Sequence, residues 1–207
     1  AGNAVLEAAR SAWPERNSWL LLCGGGNNGG DGYVVARLAR EFGVKVTVMA
    51  LSDPEGLGGD AARAFADWRA AGGETGPWSP EIPDQVNLVI DAMLGTGLDR
   101  PVGGAYAEAI DRINALDEPT VAVDIPSGLN ANTGAVMGTA IRAALTVTFI
   151  GKKRGLYTAD GPELCGRVRF DRLEVPTRVY ASVDGAGRLL DGDLLRQALR
   201  RRSRNSH

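Results

Sequence analysis

The sequence predicts an α/β protein with a mostly parallel sheet covered by helices on both faces. Three observations carry that prediction. Short β-branched or apolar runs alternate with helical patterns along most of the 207 residues, the signature of a sheet built from crossover units. Two of the runs, Val86–Asp91 and Thr120–Asp124, are almost continuously apolar and close on a carboxylate, as buried parallel strands do. The first run, Leu20–Cys23, passes through Gly24-Gly-Gly-Asn-Asn-Gly-Gly-Asp-Gly32 into a helical pattern. That makes a strand, a glycine-rich turn and a helix start.

The elements follow in order. Asn3 to Trp13 reads as the end of a helix, with Val5, Ala8, Ala9 and Ala12 on one face and no visible beginning. Pro14 to Asn17 is a turn, and Leu20 to Cys23 the first strand. A helix from about Asp31 to Phe42 presents Val34, Val35, Leu38, Ala39 and Phe42 on one side and ends at Gly43. Asp31 is placed to cap or begin it. Val44–Met49 alternates and is rich in β-branched residues, a strand. Ser52–Gly59 is a loop and Asp60–Ala71 a helix. Gly72–Pro83 holds three prolines and room for a short strand. After the strand at 86–91 come a polar loop, a helix over Ala105–Asn114 and the strand at 120–124. A long loop, Ile125–Gly134, precedes a strand at Leu145–Ile150. Val168–Leu173 alternates like an antiparallel edge strand. From Ala186 the chain reads as a polar tail or short helix.

Composition narrows the function. Apolar residues make up 44%, enough for a substantial core, and 23 basic against 25 acidic residues leave a net charge of −2, which points to neither nucleic acid nor membrane. No apolar run approaches the ~18–20 residues of a membrane span, and the first residues are no signal peptide. Cys23 and Cys165 lack metal spacing, and a reducing cytoplasm is the simplest compartment. The only histidine is His207, which argues against a histidine-dependent triad or a histidine-ligated metal. The arginines at 196–204 read as a linker rather than a nucleic-acid patch, because no aromatics are interleaved among them.

In an open parallel sheet, ligands bind beyond the carboxyl ends of the strands. Three strand ends carry unusual chemistry here: Gly24–Asp31, Asp91–Pro101 and Asp124–Gly128. Backbone N–H groups of a glycine turn at a helix N-terminus attract anions, phosphate above all. The turn matches neither Gly-x-Gly-x-x-Gly nor the Lys-Ser/Thr ending of a P-loop. A tight turn without ligand explains the glycines alone, but not Asn27 and Asn28. Asp91 and Asp124 each either cap a following turn or act. Ser127 lies in Ile-Pro-Ser-Gly-Leu, which is not a nucleophile elbow. Thr96 between glycines makes a second phosphate cradle or a plain turn. Lys152, Lys153 and Arg154 read as solvated charge, with anion recognition the rarer role.

Cys23-Gly-Gly-Gly-Asn-Asn-Gly-Gly-Asp-Gly, Asp91-Ala-Met-Leu-Gly-Thr-Gly-Leu-Asp-Arg-Pro and Val123-Asp-Ile-Pro-Ser-Gly-Leu-Asn-Ala-Asn-Thr-Gly resemble the three signatures of the NAD(P)H-hydrate epimerases, the YjeF N-terminal domain family. The resemblance covers about residues 1–176. It departs at Gly25, where the family usually has Pro, and at Asn132, where an acid is common. It implies a Rossmann-like three-layer α/β/α sandwich with a mostly parallel central sheet, and often a homodimer. By motif position, Asn27, Asn28, Gly29, Gly30 and Asp31 contact the dinucleotide, as do Gly95, Thr96, Gly97, Leu98, Asp99, Arg100 and Pro101. Asn28, Asp91 and Ser127 ligate one K⁺. Asp124 binds substrate and is the catalytic residue. The substrate is NADHX or NADPHX, the ring-hydrated cofactors. The resemblance divides the chain into an epimerase domain over 1–180, lacking its start, and a tail over 181–207. In bifunctional members that tail leads to an ADP- or ATP-dependent dehydratase domain.

The expected reaction inverts the hydrated ring carbon, which bears a hydroxyl beside the ring nitrogen. Asp124 acts as acid and then base, with Asp91 and K⁺ nearby. None of the three motifs holds a lysine to trap a ring-opened aldehyde, which favours loss of hydroxide to a planar cation. Two rivals stand beside this reading. One is a non-catalytic nucleotide- or protein-binding module, which has no need of Asp124. The other is an NAD(P)-dependent oxidoreductase, which the missing Gly-x-Gly-x-x-Gly disfavours.

Overall fold

A computed structural model describes residues 1–183, 185, 187 and 189. Two compact units are distinguished, residues 1–175 and 176–207. In the second, the described residues form one short helix, α6 (Thr177–Ala181). The expected polar tail from Ala186, with its arginines, lies almost wholly outside the described residues.

The first unit is a seven-stranded sheet in the order β3-β2-β1-β4-β5-β6-β7. Its strands are β1 (Ser18–Cys23), β2 (Lys45–Ala50), β3 (Gly76–Pro77), β4 (Leu88–Ala92), β5 (Thr120–Val123), β6 (Leu145–Phe149) and β7 (Arg167–Asp171). Every neighbouring pair is parallel. The helices are α1 (Gly2–Ala12), α2 (Asn27–Glu41), α3 (Gly59–Ala70), α4 (Gly104–Asn114) and α5 (Gly161–Leu164). Strand residues alternate between two cores because successive side chains point to opposite faces. Trp19, Leu21, Ile90 and Val121 pack with α1, α2 and α3. Leu20, Leu22, Val89 and Ala122 pack with Ala109, Ile110 and Ile113 of α4. The sheet is thus covered on both faces, and β3 is the short strand anticipated within Gly72–Pro83.

Two expectations are corrected. The strand near 168–173 is an edge strand, but β7 runs parallel to β6. The connection from Ile150 to Gly166 includes a 3₁₀ turn and α5, long enough to bring the chain back in the same direction. The polar alternation reflects an edge position that leaves both faces partly uncovered. Helix α2 begins at Asn27, not Asp31, with Gly26 as its N-cap and no side-chain cap. The glycines hid this start, because their low helix propensity is offset by close packing. A Cβ on Gly29 would lie 2.0 Å from the Gly24 carbonyl oxygen, and one on Gly32 would lie 2.8 Å from Cys23 Sγ. Much of the glycine pattern therefore seats α2 against β1.

Candidate functional site

The sheet reverses its winding between β1 and β4, since the chain proceeds from β1 outwards to β2 and later returns to β4 on the other side. A crevice at the carboxyl ends of these strands is the expected ligand position. The turn Gly24–Gly26 leaves β1 there, and Met93–Gly97 leaves β4. Gly25, Gly26 and Asn27 are exposed, as are Thr96, Gly97, Asp99, Arg100 and Pro101. Gly95 and Leu98 are half-buried. A Cβ on Gly26 or Gly97 would meet nothing within 4 Å. The first N–H groups of α2, those of Asn27, Asn28 and Gly29, precede the first intrahelical donor, Gly30 N–H to Gly26 O at 3.1 Å. They face the crevice without a helical partner. Gly29 and Gly30 themselves are buried, so only their backbone is available to a ligand.

Asp91 is the penultimate residue of β4 and has no exposed surface. Its Oδ1 accepts from Ser127 Oγ at 2.5 Å and from Met93 N–H at 3.2 Å, and its Oδ2 accepts from Ser127 N–H at 2.8 Å. Burial pushes the carboxyl up to about 6 despite these bonds. No cationic side chain of the described residues is recorded as its partner. Ser127 Oγ also accepts from Leu94 N–H at 2.8 Å, so its hydroxyl ties the end of β4 to the loop that follows β5. Asn28 sits against the next residue, Gly95: a Cβ there would lie 3.6 Å from Asn28 Oδ1. Its buried Nδ2 has no hydrogen-bond partner. The three oxygen-bearing side chains expected to act together are gathered round residues 91–95.

Asp124 follows β5 and differs. Its φ is 68°, and Ile125 N–H donates to Val123 O at 2.8 Å across it, which makes a γ-turn of the rare positive-φ kind. A non-glycine residue there is strained, a condition that clusters at functional sites. Oδ1 accepts from Phe149 N–H and Thr148 Oγ1, each at 3.1 Å, and pairs with the Lys153 ammonium. Lys153 also donates to Phe149 O at 2.9 Å. Both side chains of the pair keep some exposure, 18% for Asp124 and 16% for Lys153. They line a cavity of about 600 Å³ with Asp31, Thr96, Ile150 and Leu173. Asp31 is thus not a cap but a half-buried cavity residue. Desolvation pushes its carboxyl up, and the charge of Asp124 adds to the shift.

Lys153 was expected as solvated charge, with anion recognition the rarer role; it instead pairs with the Asp124 carboxylate, so a lysine from outside the three motifs reaches the site. A usable signal was present: Gly151-Lys-Lys-Arg follows β6, the neighbour of β5, at the same edge of the sheet. Tyr106 of α4 was missed. Its hydroxyl accepts from Gly25 N–H at 3.3 Å and lies 2.7 Å from Ser52 Oγ. That N–H exists because position 25 is not proline.

The family model described as YjeF-related protein N-terminus matches residues 1–155. Among curated relatives, the bifunctional NAD(P)H-hydrate repair enzyme Nnr of Escherichia coli is 47% identical over 84% of this chain and 34% of its own length. The NAD(P)H-hydrate epimerase of Achromobacter xylosoxidans is 45% identical, with 75% of each chain covered. The chain therefore spans about a third of the first relative and three quarters of the second. A crystal structure of yeast ynu0, YNL200c, shares the fold with a TM-score of 0.67 at 19% identity, covering 82% of this chain and 74% of that one. Among the described residues, no helix is long and apolar enough to cross a membrane.

Proposed function

The chain belongs to the family of the YjeF-related protein N-terminus, and from that premise we propose that it epimerises NAD(P)H hydrate, interconverting the R and S forms at the hydrated ring carbon. The observation that carries the proposal is the pairing of Asp124 with Lys153 at the cavity wall. Such a pair can hold and move a proton. The similarity to relatives named for this epimerisation supports the same reading.

In this mechanism the free N–H groups of α2 and the loop Gly95–Pro101 hold the dinucleotide phosphates. The Asp124–Lys153 pair delivers a proton to the ring hydroxyl as the C–O bond breaks. The lone pair of the ring nitrogen moves into the ring, leaving a planar cation and water. Water adds to the other face, and the pair takes its proton back. Atoms and charge balance without redox. Asp31, on the same cavity, is a second carboxylate able to stabilise the cation.

The donors fit a bound K⁺. Asp91 is a buried anion without a cationic partner among the described residues, and the orphaned amide of Asn28 is free to turn its oxygen inward. Asp91, Asn28 and Ser127 would hold the ion, hard oxygen ligands for a hard cation. K⁺ would neutralise the buried charge and fix the two loops that carry these residues. We further infer that the chain is the epimerase portion of a longer protein with an ADP- or ATP-dependent dehydratase domain, supported by its covering a third of a relative named bifunctional.

The test is direct. Purified protein is added to the R epimer of NADHX and its conversion to S is followed by chromatography. Conversion above the spontaneous rate is expected; a rate equal to buffer alone overturns the proposal.

A further inference from the structure

A second strained turn stands beside the first. Ile150, immediately after β6, has φ 63°, and Gly151 N–H donates to Phe149 O at 2.6 Å across it. This is another γ-turn with positive central φ. A β-branched residue there is a genuine outlier, and glycine would adopt the conformation freely. The side chain gains little burial in return, because Ile150 is 52% exposed.

The turn is bound into the site. Phe149 N–H donates to Asp124 Oδ1, and Phe149 O accepts from Lys153 Nζ. Ile150 N–H donates to Asp171 O of β7 at 2.9 Å. The result fixes an apolar side chain on the wall of the cavity that Asp124, Lys153 and Asp31 make polar, with Leu173 lining it too. A cavity with charge and an apolar wall suits an uncharged, partly saturated ring that carries one reacting polar group.

We propose that Ile150 is a positioning residue whose side chain seats the hydrated nicotinamide ring, so that its hydroxyl-bearing carbon meets Asp124 and Lys153. The inference rests on the epimerase reading and deepens it. The strained turn is kept for the place where it puts this side chain.

The experiment compares wild type, Ile150→Gly and Ile150→Val by calorimetric titration with two ligands. One is an equilibrated mixture of NADHX epimers. The other is ADP-ribose, which keeps the phosphates and lacks the ring. Ile150→Gly removes a half-exposed side chain that the ring would cover, so NADHX should bind it on the order of 5-fold more weakly. ADP-ribose affinity should stay within about twofold. Ile150→Val should hold both affinities near wild type. The melting temperature of Ile150→Gly should be unchanged or higher, since glycine relieves the turn. Unchanged NADHX affinity in Ile150→Gly, or an equal loss for both ligands, overturns the inference and leaves the epimerase reading standing. A wild type that binds neither ligand overturns both.

Discussion

Asp91 and Asp124 end neighbouring strands of one sheet, yet the protein treats them in opposite ways. Asp91 has no exposed surface, an unstrained backbone and, among the described residues, only neutral donors around it. Asp124 keeps 18% exposure, sits in a strained γ-turn and shares its carboxylate with a lysine. A buried anion held only by neutral dipoles is costly, and such a group becomes useful when a cation arrives. A strained, partly open carboxylate with an ammonium partner is suited to passing protons to something in the cavity. The contrast separates a carboxylate that organises the loops from one that does chemistry.

The largest effect should follow from removing the chemistry without disturbing the fold. Asp124→Asn keeps the shape and the acceptor oxygen for Phe149 N–H, and loses the proton carrier. Epimerisation should fall by a factor on the order of 10²–10⁴, with the melting temperature close to wild type. Steady-state kinetics beside a thermal melt measure both. Near-normal turnover would end the distinction drawn between the two aspartates.

Lys153 sharpens the same point. Lys153→Met removes one charge-assisted hydrogen bond at the reacting group, for an expected loss of about 10–10²-fold in rate. The lysine also reopens a question about bonds. An ammonium beside Asp124 supplies the proton for the cation route, but its neutral amine is a candidate trap for a ring-opened aldehyde. Epimerisation in ¹⁸O-labelled water distinguishes the two. The cation route places label in the ring hydroxyl at each inversion, above the uncatalysed background, and this is the expected result. Early product with unlabelled oxygen would favour ring opening.

How far the sequence revealed the site follows from the range of each interaction. Strand ends and loops are local, so the runs closing on Asp91 and Asp124 were legible, as were the three loops that meet at the crevice. The start of α2 was misplaced because Gly29 and Gly32 are stabilised by contacts with Gly24 and Cys23 that no local pattern shows. The direction of β7 depends on where a seventeen-residue connection, 150–166, returns to the sheet. Lys153 reaches Asp124 across 29 residues of sequence, and neither its spacing nor its composition distinguishes it from Lys152. The γ-turns at Asp124 and Ile150 are backbone conformations that their residue types disfavour, so propensity argued against them.

Ser127→Ala tests the organising half of the contrast. The hydroxyl donates to Asp91 and accepts from Leu94 N–H. Its loss leaves buried groups unpaired, at a cost of about 1–3 kcal/mol. The midpoint in a denaturant melt should drop accordingly, while turnover at a permissive temperature falls far less than in Asp124→Asn. A stable Ser127→Ala protein with activity as low as Asp124→Asn would move Ser127 from structure to chemistry.

The smallest effect concerns the ion. If K⁺ binds the folded state at Asp91, Asn28 and Ser127 and not the unfolded chain, it adds RT ln(1 + [K⁺]/Kd) to stability, about 1.4 kcal/mol at ten times Kd. For a protein of this size that raises the melting temperature by roughly 3–6 °C. Replacing K⁺ by tetramethylammonium at constant ionic strength holds general screening nearly fixed, and an organic cation is too large and too poorly matched to carboxylate, amide and hydroxyl oxygens to substitute. Asp91→Asn should erase the difference between the two salts, because the charge that draws the ion is gone. Asp124→Asn should retain it, because Asp124 already has its cation in Lys153. Equal melting temperatures for wild type in both salts would leave Asp91 a buried carboxylate held by Ser127 and Met93 alone. A salt difference lost in Asp124→Asn and kept in Asp91→Asn would place the ion beside the wrong aspartate and reverse the division of labour between the ends of β4 and β5.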